Sequence, residues 1–73
     1  MADEYKRLLE WTEMTGHTPT VVRTGAGGYG ISIEIEEPVA YKAHCDEETI
    51  DGAAKGVIEQ LETVAGRKIE EIP

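Results

Sequence analysis

The sequence predicts an α+β domain in the order α-β-β-β-α, with a three-stranded antiparallel sheet and both helices on one face. Three observations predict it. Apolar residues recur at helical spacing near the two ends of the chain, in DEYKRLLEWTEMT and DEETIDGAAKGVIEQLETVAG. Between them ISIEIEE alternates apolar and acidic with period two, the pattern of a half-buried strand. Gly25 to Gly30 and Pro38 break the middle of the chain into short runs. Both helices need the same apolar sheet face, which leaves the other face to water.

The first helix is expected from about Asp3 to Thr15, with Asp3 as cap and Gly16 as stop. Tyr5, Leu8, Leu9 and Thr12 form its inward stripe, and Trp11 falls beside that stripe at the core margin. Three strands follow. Thr18–Thr24 starts at Pro19, as suits an edge strand. Tyr29, Ile31, Ile33 and Ile35 are the inner positions of the second strand, and Gly30, Ser32, Glu34 and Glu36 the outer ones. Val39–Cys45 is the third, with Val39, Tyr41, Ala43 and Cys45 inward and Lys42 and His44 outward.

The last helix is the clearest. Ile50, Ala53, Ala54, Val57, Ile58, Leu61, Val64 and Ala65 keep helical spacing. Asp46 is its expected cap, Glu47 and Glu48 its acidic first turn, and Gly66 its stop. Gly52 and Gly56 lie away from the apolar stripe and read either as tolerated on a free surface or as a close approach by another chain. The tail RKIEEIP adds one contact through Ile69 and Ile72 or frays. The chain is therefore a single domain over 1–73, with its core in about 3–65 and a tail over 66–73.

Composition narrows the function. Fifteen acids against seven bases give a net charge of -8, so phosphate backbones are repelled and a partner with a basic surface is favoured. The other reading of the charge is simple solubility. The single Cys45 excludes an intrachain disulfide and suits a reducing, cytoplasmic setting. MADEYKRLLEW has no apolar run behind a basic start, so a signal peptide is not expected. No stretch reaches the roughly 20 apolar residues of a membrane span.

GAGGYG completes a G-x-G-x-x-G with Gly25, Gly27 and Gly30. A dinucleotide site needs a helix after those glycines, and here a strand follows, so the stretch reads as a hairpin loop with no cofactor. His44 and Cys45 are neighbours in sequence, which on a strand places them on opposite faces and out of reach for nucleophilic catalysis. His17 follows Gly16 in a turn and reads as solvated. Glu34 and Glu36 are expected at the centre of the open sheet face, where paired carboxylates stay ionised. No enzyme and no metal site are expected.

The order of elements, with ISIEIEEPVAYKAHCDEETIDGAAKGVIEQL and its Ala53, Ala54 and Lys55, resembles the double-stranded-RNA-binding domain over about residues 3–65. That family opens its last helix with a Lys-Lys-x-Ala-Lys motif that grips phosphates. The same places here read Asp46, Glu47, Glu48, Thr49 and Ile50. Its first hairpin carries a Gly-Pro-x-His, and here the loop is GAGGY. Only Glu10 loosely matches a family contact residue. The resemblance implies the fold and argues against the RNA function.

GGYGISIEIEE and DEETIDGAAKGVIEQL also resemble HicB-type antitoxins, which neutralise a small basic toxin. The chain has an extra first helix and lacks their DNA-binding appendage, so the toxin-binding half is what carries over. In general character it is similar to phage-encoded inhibitors of restriction and CRISPR systems. The expected function is a small acidic, non-enzymatic blocker of a basic protein surface, in a nucleic-acid-handling complex or a toxin. The alternatives are a scaffold or dimerisation module, with a possible homodimer, and an RNA-binding domain. Glu34, Glu36 and Glu37 are the first candidates for the partner face, and Asp46, Glu47 and Glu48 the second.

Overall fold

Two glycines end the two long helices. Gly16 and Gly66 sit in the left-handed region, with φ of 83° and 71°, and donate their N–H groups to Thr12 and Glu62 carbonyls. A computed structural model describes residues 3–73. It consists of α1 (Glu4–Thr15), β1 (Thr20–Arg23), β2 (Tyr29–Ile35), β3 (Tyr41–Glu47) and α2 (Ile50–Ala65), followed by a short 3-10 turn, Ile69–Glu71. The strands form one antiparallel sheet in the order β1-β2-β3, so the architecture is the expected α-β-β-β-α.

The core lies between the helices and the face of β2 that carries Ile31, Ile33 and Ile35. Ala43 on β3 and Ala53, Ala54, Val57, Ile58 and Leu61 on α2 complete it, with Leu8 and Trp11 from α1. The small side chains of Ala43, Ala53 and Ala54 let α2 lie close along β2 and β3. Val21, opposite Ile31 on the same face of β1, stays 37% exposed.

Several local expectations are corrected. β1 is shorter than Thr18–Thr24, because Pro19 has no N–H to offer a ladder. β3 runs two residues later than Val39–Cys45. The loop after Pro38 takes up Val39, which is exposed, and pairing with β2 continues through Gly30↔Asp46 and Tyr29↔Glu47. Asp46 therefore does not cap α2, and Glu47 and Glu48 are not in its first turn. Thr49 is the cap, with its hydroxyl accepting from Gly52 N–H at 2.9 Å, and Asp51 is the acid of the first turn.

Asp3 makes no side-chain cap bond either. Asp51 serves instead: its carboxylate accepts from Tyr5 N–H at 3.1 Å, tying the start of α1 to the start of α2. The buried stripe of α1 is Leu8, Trp11 and Thr12, turned away from Leu9. The reason is the tail, which packs Ile69 and Ile72 into the core. Trp11 Nε1–H donates to the Ile72 carbonyl at 2.9 Å, so its one polar group is paired. Residues 66–73 are thus part of the folded unit.

Gly56 is neither a neutral surface position nor a contact for another chain. A Cβ there would overlap Cys45 Sγ, so the glycine is where α2 meets β3 of its own sheet.

Candidate interaction surface

The outer face of the sheet is built in rows set by the strand register. Thr20, Ser32 and His44 form one row, and Val22, Gly30 and Asp46 the next. Glu34 stands directly opposite Lys42. The centre of the face is therefore Ser32 between Thr20 and His44. Glu34 lies toward one end, and Glu36 lies past the end of β2. This corrects the expectation of an acidic centre; the register places a cation beside Glu34, which the β2 sequence alone does not reveal.

Glu34, Glu36 and Glu37 nevertheless converge. Together with His17 and Pro73 they line one open hollow at the end of the sheet where β2 turns into β3. Its walls are held from three sides. Ile35, fully buried, anchors the strand end between Glu34 and Glu36. His17 stacks on Trp11, with ring centroids 4.6 Å apart and planes 13° from parallel, and shares a 2.6 Å hydrogen bond between its Nδ1 and Thr15 Oγ1. His17 is thus half-buried and fixed, where the sequence suggests a solvated turn residue. Pro73 reaches the hollow because Ile72 enters the core, the first of the two outcomes the sequence leaves open for the tail.

Asp46, Glu47 and Glu48 do not join this group. Asp46 lies four residues along the ladder from the row of Glu34, about 13 Å at the usual strand rise. Its carboxylate covers Gly30 and meets His44 Nε2 at 3.1 Å. Glu47 points to the opposite side of the strand, toward the start of α2, where its Cβ would lie 3.2 Å from a side chain at Gly52. With Glu48 the pair lines a second hollow beside the β1–β2 hairpin, shared with Thr24, Ala26 and Gly28. The six candidate acids therefore form two groups at opposite ends of the β2–β3 ladder.

The glycine-rich stretch is the hairpin itself. Thr24 N–H donates to Gly28 O at 3.0 Å, Gly27 N–H to Thr24 O at 3.1 Å, and Gly27 adopts φ of 86°. That is a three-residue loop with a left-handed third position, which only glycine takes without strain. Gly28 is needed separately, since a Cβ there would sit 2.5 Å from the Glu47 carbonyl oxygen. Strand β2 follows directly.

His44 is exposed on the outer face, and Cys45 faces α2, half-buried. Burial pushes the Cys45 thiol up from its ordinary pKa, and the carboxylates of Glu47, Asp46 and Glu59 push it further. Cys45 is thereby held as a thiol, the form that is poor as a nucleophile. Among the described residues, no three His, Cys, Asp or Glu side chains gather in a way that would hold a metal ion. None of the described helices is long and apolar enough to cross a membrane. Comparison with family models, with curated proteins and with solved structures finds no match for this chain.

Proposed function

We propose that this domain is a small acidic binding protein, without catalytic activity, that occupies a basic surface on another protein. The observation that carries the reading is the hollow in which Glu34, Glu36 and Glu37 meet. Three carboxylates on a strand end and its adjoining loop, backed by the buried Ile35, present negative charge at low entropic cost to a Lys or Arg side chain of the partner. Asp46, Glu47 and Glu48, at the far end of β3, add a second acidic contact for a partner long enough to span the ladder.

The partner class follows from the charge. A surface evolved to hold nucleic acid is basic, and so is a small toxin of the kind that HicB-type antitoxins neutralise. We read the domain as a blocker of such a surface, comparable to phage-encoded inhibitors of CRISPR or restriction complexes, acting in a reducing cytoplasm where Cys45 remains free. Its likeness to the double-stranded-RNA-binding domain we take as one of fold, because a net charge of -8 opposes binding to a phosphate backbone.

The test is capture of partners from host lysate with the wild-type domain and with a Glu34→Lys, Glu36→Lys, Glu37→Lys variant, at low and high salt. A basic protein or nucleic-acid-handling complex held by the wild type, and lost both in the variant and at high salt, supports the reading. An identical captured set for both proteins, or capture of nucleic acid alone, contradicts it.

A further inference from the structure

The two edges of the sheet are finished differently. On β3, Gln60 of α2 lays its carboxamide along the strand: Oε1 accepts from His44 N–H at 3.1 Å and Nε2 donates to His44 O at 2.6 Å. A side chain thus takes the place of a neighbouring strand and closes that edge to pairing. On β1, among the described residues, no side chain or strand does the same. Thr24 and Gly28 are a hydrogen-bonded pair, so by the antiparallel alternation Val22–Gly30 and Thr20–Ser32 are bonded pairs as well. The N–H and C=O groups of Val21 and Arg23 then point outward. All four residues of β1 are exposed, and Val21 and Val22 add 37% and 50% exposed valines on the two faces of the strand.

From this we propose that β1 is a self-association edge, on which β1 of a second copy pairs antiparallel to give a continuous six-stranded sheet. Charge selects the occupant. Two chains of net charge -8 repel, yet between Glu13 and Glu34 the sequence has no acid at all, and this stretch contains β1 and its hairpin. The β1 edge is where two copies approach with least repulsion. It stands apart from the acidic hollow and does not depend on the function read from it.

Pro19 sets the register. If Val21 faced Val21 of the second copy, Arg23 would pair with Pro19, which has no N–H, and one carbonyl on each chain would be left without a donor. If Arg23 faced Arg23, like charges would stand directly opposite. With Val22 facing Val22, each Val21 exchanges both backbone bonds with Arg23 of the second copy, and every outward N–H and C=O of β1 is satisfied. The two Val22 side chains then meet on the outer face, in the closer, non-hydrogen-bonded type of pair. An interface built on four-residue strands is below the usual size of a stable dimer, so the pairing is weak and concentration-dependent.

The experiment is sedimentation velocity of the full chain from micromolar to millimolar concentration, with amide hydrogen exchange at both ends of the range. The expected result is a mass rising toward two chains, with Val21 and Arg23 amides protected only at high concentration. Val21→Pro removes just an outward N–H and should weaken association by tenfold or more with an unchanged circular dichroism spectrum. Val22→Glu keeps every backbone donor and sets two like charges directly opposite each other on the exposed outer face; it should do the same, and it decides the matter if the proline variant does not fold. A single-chain mass throughout, or association unaltered in Val22→Glu, overturns the proposal.

Discussion

Gly56 on α2 lies against Cys45 on β3 so closely that a Cβ at position 56 would sit 2.9 Å from Cys45 Cβ and overlap its sulfur. This contact sets how near the last helix can come to the sheet. Two effects of Gly56→Ala oppose each other. Helix propensity favours alanine by about 0.5–1 kcal/mol. Overpacking against a side chain held by its strand costs about 1–3 kcal/mol. The second wins, so the variant should be destabilised by about 1–2 kcal/mol in urea denaturation. Adding Cys45→Ala removes the sulfur and should recover part of the loss, giving a non-zero coupling in the double-mutant cycle. A more stable single variant would mean that α2 does not approach β3 this closely.

The tail should behave as core. Ile72 is 2% exposed, and truncating it to alanine should cost about 2–5 kcal/mol. In a domain of this size that is a large part of the whole stability. Trp11→Phe removes the bond to the Ile72 carbonyl while keeping most of the apolar area, and should cost about 1–2 kcal/mol. Thermal melts check both, and an Ile72→Ala variant that melts with the wild type would place the tail outside the folded unit.

Arg7 joins α1 to the end of α2 and the tail, through Glu62 at 3.0 Å and Glu70 at 2.6 Å. Hydrogen bonding from the Arg7 guanidinium holds the Glu70 carboxyl down to about 2, from an ordinary 4.5. A folded-state pKa below the unfolded one means stability that is fully present above about pH 4.5 and is lost as pH falls toward 2. Glu70 is more than half exposed, so solvent screening limits the effect to about 0.5–1 kcal/mol. Glu70→Gln should lower stability at neutral pH by that amount and flatten the acid limb of the stability curve. Equal acid sensitivity in the two proteins would show that the ion pair does not form in solution.

The parts of the fold legible in the sequence are those fixed by local pattern. Ile31, Ile33 and Ile35 declare the buried face of β2, and Gly16 and Gly66 declare the helix ends. The start of α2 is not legible in the sequence, because Asp46, Glu47 and Glu48 suit a helix's positive end and an exposed strand end equally well. Only pairing with Tyr29 and Gly30, far away in sequence, separates the two. Ile69 and Ile72 are too few to show a period, and the role of Gly56 exists only once β3 is beside it. At the candidate site, Glu34, Glu36 and Glu37 were legible as neighbours on and after one strand. Lys42, His17 and Pro73 were not, since register, ring stacking and the path of the tail bring them there.

If the hollow of Glu34, Glu36 and Glu37 meets a basic partner, as we propose, its charge should set how fast that partner arrives. The most direct test is the association rate of the captured partner with the wild type and with a Glu34→Lys, Glu36→Lys variant, measured over a range of ionic strength. Both side chains are exposed, so the fold should be intact by circular dichroism. Reversal should slow association by about tenfold or more at low salt, and the difference should shrink as salt rises. Equal rates and equal salt dependence for the two proteins would contradict the proposal and leave the acidic end of the sheet as solvated surface.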